Sequence, residues 1–561
     1  LIHKNKKVEN KKTTVNNFIP WINNFFLTRK KLFVITMLLA IILSGAFLRF
    51  YNLEQIPSGL HETEANYGLL ALGLNDEETT INSFVQNGYE LGVFTKLTSV
   101  SFGIFGMNIF ALRLLSAFIG ILTIIGFFFL LKELRFSYRL ALLGTFFLTF
   151  SFWHVNFSRL AYSEIFIPFL ITWLSLLLMR GFFSKKHLYF VLSGATIGLG
   201  LWIHPLMIFS LLLPFFLVLY FSFLDKKFLS FFKLHLLFLS MSILLFSVPL
   251  LLQMQNDHHL FQDSLKGALS FDASNLSPIK NMVSYFGSLF YLGDSNQLHN
   301  YSSLPIIPLA WSILFLFGFF LSMRSFIFSI IGQFKKTNVP KNIHASALAQ
   351  IIFLTALLIG SLNSNQEPSS KQFIWAIPAI FIFCIIPFEY LIQIYQKLKL
   401  STRISMKKWR WRVLQFSISC LILMVVLAGF SQVYLYFEVW AKDTKTKEVF
   451  QENQVSFGKI IRGLEREENN FIIIPEHVEF SADRKTKTLK TLEFSGFPDI
   501  KNYVFIHPSE GLTGIHCENS LIVFYETKLL LRKQFQKKCP ENSFKKLTTP
   551  KVNGAFWTMR Q

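Results

Sequence analysis

Two adjoining stretches decide the reading of this chain: Leu32-Phe-Val-Ile-Thr-Met-Leu-Leu-Ala-Ile-Ile-Leu-Ser-Gly-Ala-Phe-Leu48, and then Arg49-Phe-Tyr-Asn-Leu-Glu-Gln-Ile-Pro-Ser-Gly-Leu-His-Glu-Thr-Glu-Ala-Asn-Tyr-Gly68. The first carries no charge and reaches the roughly 17–25 residues that cross a bilayer. No small-residue cleavage site follows it, so it reads as a signal anchor and not a removed leader. The second puts Glu62 and Glu64 just beyond that span. Carboxylates there are costly unless they stand in water or in a polar site. A polar site at the outer membrane surface is therefore expected, with the rest of the chain as its scaffold.

Working outward, apolar runs of spanning length recur. The chain has 561 residues, is 52% hydrophobic and holds 66 Phe, well beyond what a soluble domain needs for one core. Eleven spans are expected, near 32–50, 108–131, 138–153, 165–183, 188–204, 206–224, 236–254, 304–323, 346–362, 373–395 and 413–437. The fold class is thus a polytopic α-helical membrane protein. The net charge of +22 could suggest a nucleic-acid partner, but its placement excludes one. Lys and Arg gather in the tail 1–31 and in alternate short loops, which is the positive-inside pattern. It sets the amino terminus in the cytoplasm and, with an odd span count, the carboxyl terminus outside.

Three regions follow: a basic cytoplasmic tail (1–31), a membrane module (32–437) with long outer loops at 51–107 and 255–303, and an outer α/β domain (438–561). In the last, Phe471-Ile-Ile-Ile-Pro475 and Leu521-Ile-Val-Phe-Tyr525 read as buried strands and Glu526–Lys538 as a basic helix. Gly92–Met107 reads as an amphipathic interfacial stretch. Of the four cysteines, Cys384 and Cys420 fall within spans as small apolar side chains. Cys517 and Cys539 could bridge if the tail meets an oxidising compartment.

The chemistry-bearing residues cluster on the outer side. Thr63 is the expected cap of a helix beginning at Glu64, whose first turn favours an ionised carboxylate. Arg113, Arg159 and Lys371 supply cations of the kind a phosphate at the interface needs. His61, His154, His204, His258, His259, His299 and His507 are all on this side, without helical metal spacing; a zinc site would have to be built by tertiary contact. No P-loop, dinucleotide fingerprint or serine nucleophile elbow is present.

Four stretches, in order, resemble the bacterial GT-C glycosyltransferases related to protein mannosyltransferases and to aminoarabinose transferases acting on lipid A (the family 39 and 83 type). They are Leu48-Arg-Phe-Tyr-Asn-Leu with Pro57 and Gly59-Leu-His-Glu-Thr-Glu-Ala; Phe105-Gly-Met-Asn-Ile-Phe-Ala-Leu-Arg-Leu114; Phe152-Trp-His-Val-Asn-Phe-Ser-Arg159; and Tyr291-Leu-Gly-Asp-Ser-Asn-Gln-Leu-His299. One departure stands out: where the family's first loop carries an Asp-Glu pair, this chain has Thr63 before Glu64.

The resemblance implies transfer of a sugar from a polyprenyl-phosphate donor to an envelope acceptor, in one inverting displacement at the outer face of a bacterial inner membrane. It implies Glu64 as base, with Glu62 as substitute, and Arg159, Lys371 and Arg113 as donor-phosphate contacts. His61, Tyr67, His154, Asp294 and His299 would shape the sugar and acceptor pocket. It fixes no cofactor and leaves a divalent metal open. Two other readings compete: a transporter or flippase for lipid-linked substrates, which would favour ionisable residues at mid-membrane, and a catalytically degenerate membrane scaffold, which Thr63 keeps in view.

Overall fold

A computed structural model describes residues 13–73, 91–256, 258–270, 272, 277–335, 343–363, 367–400, 408–464, 469–473, 490–506, 520–524, 536–537, 543–547 and 556–560. Among them nine helices are long and apolar enough to cross a membrane. They are Leu32–Phe50, Ile109–Glu133, Ser163–Ser184, Pro205–Leu224, Phe228–Val248, Leu309–Ile331, Ile343–Ser361, Ser370–Gln396 and Gln415–Lys442. A tenth is broken, Tyr138–Phe150 and Phe152–Arg159 meeting at 56°. The expected run at 188–204 is the shorter apolar helix His187–Ile203. Each apolar run in the sequence thus has its helix, and the chain is a multi-pass membrane protein.

Small residues and breaks set how these helices pack. Along His187–Ile203, a Cβ on Gly194 would lie 2.5 Å from the Leu239 carbonyl, and one on Gly198 2.7 Å from the Phe246 side chain. Small residues one turn apart let two backbones touch where no hydrophobic effect drives helices together. In the broken span, Ser151 is extended (ψ 123°) and the ladder restarts when Val155 N–H reaches the Ser151 carbonyl at 2.9 Å. Every residue of the second half, Phe152–Arg159, is buried.

The first outer loop holds the helix Glu62–Ala71 and then the helix Leu91–Phe105. The latter buries Phe94, Thr98 and Phe102 while leaving the apolar Val100, Ile104 and Phe105 exposed. The later loop holds His258–Leu269 and Pro278–Gly287, then an irregular segment to the next span.

The tail after the last span builds a five-stranded sheet from β1 (Asn469–Ile473), β2 (Val504–Ile506), β3 (Ser520–Phe524), β4 (Ser543–Leu547) and β5 (Phe556–Arg560), in the order β2-β1-β3-β5-β4. β1 runs parallel to β2 and β3, whereas β5 is antiparallel to β3 and β4. The two strands read from the sequence are β1 and β3, with Ile472 and Val523 fully buried. The stretch read as a basic helix, apart from 536–537, and both Cys517 and Cys539 lie outside the described residues. The tail has a core of its own around Phe457, Ile461, Ile472, Leu492 and Val523. Trp440, Phe450, Val455 and Phe494, by contrast, pack into the core of the membrane module.

Candidate active site

The helix Glu62–Ala71 opens with a reciprocal cap. His61 is the N-cap, its Nδ1 accepting the Thr63 N–H at 3.1 Å, and Glu64 reaches back to the His61 N–H at 3.3 Å. The cap thus sits two residues before the expected Thr63, because an imidazole nitrogen fills the acceptor role that usually falls to a hydroxyl or carboxylate. With Nδ1 accepting an amide hydrogen, a neutral His61 carries its own hydrogen on Nε2.

Glu64 is fully buried and closed. Arg113 grips it with two arms, Nε to Oε1 and Nη2 to Oε2, both at 2.9 Å. The Ala161 N–H adds a bond to Oε1 at 2.8 Å, and the cap bond ends on Oε2. A carboxylate has about four lone-pair positions, and four donors occupy them. Glu64 therefore joins the first outer loop to the second span and to the loop after the broken span. It does not face an open hollow, as the sequence led one to expect.

The arginines are engaged in the same way. Arg113 also donates to the carbonyls of Leu53, Pro57 and Gly59 at 3.2, 3.1 and 2.9 Å. Arg159 donates to those of Leu48, Tyr51, Asn52 and Ile56 at 2.8, 2.8, 3.3 and 2.8 Å and lies 5.1 Å from the Phe437 ring. Both were expected to reach a phosphate; in this structure both hold the backbone of residues 48–59. His154, expected in the sugar pocket, turns inward and accepts from Arg49 Nη2 at 2.7 Å through Nδ1.

The remaining residues do converge. The Tyr162 hydroxyl donates to His61 Nδ1 at 2.9 Å, and Tyr67 meets Ser163 at 3.3 Å. The His299 ring stacks on Phe157 and stands edge-on to Tyr162. Asp294 accepts from the Asn296 and Ser370 amides at 2.8 and 2.7 Å, with His299 Nδ1 3.6 Å away. Next to Ser370, Lys371 reaches Glu164 Oε1 at 2.6 Å. The Glu164 side chain is 1% exposed and that of Lys371 38%. Three of the four sequence stretches, through His61, the segment 157–164 and Asp294 with His299, therefore meet in one place, joined there by residues 370–371.

Burial sets the protonation of this cluster. It lowers His61 to about 4, Glu64 opposing and His299 and Lys371 assisting, so the ring is neutral near pH 7. Burial, with Glu64 and Glu164 nearby, pushes the Tyr162 hydroxyl well above its usual range, which keeps it a donor. Burial works against an ionised Asp294, but His299 and the two amides outweigh it and hold the carboxyl below its ordinary value.

Glu62 sits on the helix face it shares with Asn66, one turn on. Asn66 accepts from Lys490 of the tail at 2.7 Å. Sequence reasoning did not select Glu164 or Tyr162. The available signal was an acid at the mouth of an apolar span, where a lone carboxylate needs a partner. Among the described residues no group of three or more His, Cys, Asp or Glu could hold a metal. His507 lies outside the described residues, as do the side chains of His258 and His259.

Comparison with known proteins places this geometry. The family model for dolichyl-phosphate-mannose-protein mannosyltransferase matches residues 88–259. No curated protein sequence matches the chain. Among solved structures, ArnT from Cupriavidus metallidurans in its apo state superposes with a TM-score of 0.52 at 12% identity, covering 94% of this chain and 97% of that one. The same protein bound to undecaprenyl phosphate gives 0.52 at 13% identity, with the same coverage. The spanning helices and this superposition agree: the chain is a multi-pass membrane protein of the GT-C fold.

Proposed function

We propose that the protein is a membrane glycosyltransferase that moves a sugar from a polyprenyl-phosphate donor to an envelope acceptor on the outer face of a bacterial inner membrane. The observation that carries this is the meeting of Lys371 and Glu164 with His61, Tyr162, Asp294 and His299 at the outer ends of the spans. The mannosyltransferase match over 88–259, which includes Arg113 through Glu164, supports the same reading.

The chemistry asks little of such a site. An acceptor hydroxyl attacks the anomeric carbon as the bond to phosphate breaks, with inversion, and the lipid phosphate leaves with the electron pair. Lys371, partly open to solvent, is the residue we assign to the phosphate, where a cation offsets the gathering charge. Tyr162 and His299 flank the sugar with hydroxyl and ring. Arg113 and Arg159 fix the loop that carries His61, and the donor's lipid tail lies between spans.

The test is to incubate purified protein with radiolabelled polyprenyl-phosphate sugars and envelope extracts. Labelled acceptor and released polyprenyl phosphate are expected for one donor. Flux of substrate across sealed vesicles without any glycosidic product would replace this reading with transport.

A further inference from the structure

Glu164 and Glu64 are two buried carboxylates in opposite conditions. Glu64 has four donors on its two oxygens, from a rigid guanidinium fork and two amides. Glu164 has one ion-pair partner, a lysine with a flexible stem, on Oε1. Its Oε2 is buried and has no hydrogen-bond partner among the described residues. An acceptor oxygen left bare in the interior calls for an explanation, because its lost hydration is not replaced by a hydrogen bond. Tyr162 and Ser163 adjoin it in sequence and bond to His61 and Tyr67, so the bare oxygen belongs to the convergent cluster and not to a remote packing defect.

We propose that Glu164 Oε2 takes the proton of the acceptor hydroxyl, and that Lys371 divides its charge between Glu164 and the donor phosphate. This rests on the glycosyltransferase reading and names the proton's destination within it. As the acceptor oxygen bonds to the anomeric carbon, its hydrogen passes to Glu164, and the carbon–oxygen bond to phosphate breaks with its electrons on the leaving group. Products are the glycoside, the free lipid phosphate and a protonated Glu164, which then returns its proton to water. Before the donor arrives, Lys371 neutralises Glu164. Once the phosphate competes for the ammonium, the carboxylate loses part of its counter-charge and becomes a better base at the moment it is needed. Glu64, with its acceptor positions filled, lacks an open oxygen in this place.

The sharing makes two observables move in opposite directions. In Glu164→Gln the lysine no longer shares its charge with a carboxylate at position 164. Binding of polyprenyl monophosphate to the purified full-length protein should therefore tighten about threefold to tenfold, while kcat for transfer falls by about 10²–10³. Glu164→Asp should keep tight folding and recover part of kcat. Lys371→Met should weaken polyprenyl monophosphate binding tenfold or more. Equal or weaker phosphate binding in Glu164→Gln overturns the sharing, and a wild-type kcat in that variant overturns the proton transfer. A wild-type protein that neither binds polyprenyl monophosphate nor transfers sugar overturns the underlying reading instead.

Discussion

Arg113 is the residue on which the outer loop turns. A guanidinium sealed from water is tolerated only when each of its donors is met, and Glu64 with three carbonyls meets them. Removing one partner strands the other. Glu64→Gln is expected to destabilise the protein by about 3–5 kcal/mol, and Arg113→Met by a similar amount. The double variant should cost clearly less than the two singles added, since neither charge is then left alone. Denaturation of the detergent-solubilised protein measures all three. Strictly additive losses, or a Glu64→Gln protein as stable as wild type, would show that the pair is not the tie described. The sequence announced both residues as functional but could not announce their union, because positions 64 and 113 are brought together only when the loop helix Glu62–Ala71 folds against the second span. A carboxylate two residues from another looks, in one dimension, like half of a catalytic pair.

At the scale of elements, the junction between the first outer loop and the tail is made by backbone. Leu60 N–H bonds to the Phe450 carbonyl at 2.6 Å, and Thr491 Oγ1 donates to the Leu60 carbonyl at 3.2 Å. Gly59 makes the approach feasible: its φ is +86°, and a Cβ there would fall 2.2 Å from the Phe450 carbonyl oxygen and 2.9 Å from Glu452. Gly59→Ala should thus lose about 1–3 kcal/mol from backbone strain alone, and more as the tail is pushed off His61. The neighbouring Ser58→Ala should lose much less. A thermal midpoint for Gly59→Ala equal to that of wild type would sink the argument.

The elements themselves were largely legible. A long uncharged run is a property of neighbouring residues, so nine of the eleven expected spans have a helix of spanning length, one is broken and 188–204 is a shorter helix, and β1 and β3 announced themselves as short apolar runs. The bend at Ser151 was not legible, since nothing in Thr149-Phe-Ser-Phe-Trp153 forbids a continuous helix. Nor was Glu164, which opens a span that otherwise reads as plain hydrocarbon. Its partner Lys371 lies two hundred residues on.

Across the whole molecule, charge asymmetry gives an orientation that can be tested. Lys226 is exposed in a short basic loop and Lys445 is exposed beside the last span. In a background freed of the four native cysteines, Lys445→Cys in intact cells should react with a membrane-impermeant thiol reagent. Lys226→Cys should react only after the membrane is broken. The reverse pattern would put the candidate site on the cytoplasmic side and remove the basis for an envelope acceptor.

Phe450 and Val455 are buried in the membrane module's core although they follow the last span, and Phe494 presses against Gly68 from within the tail. The chain consequently offers no clean seam between 437 and 496. A tail excised at 438 would leave raw apolar faces on both fragments, so a cut there exposes the core that the two share.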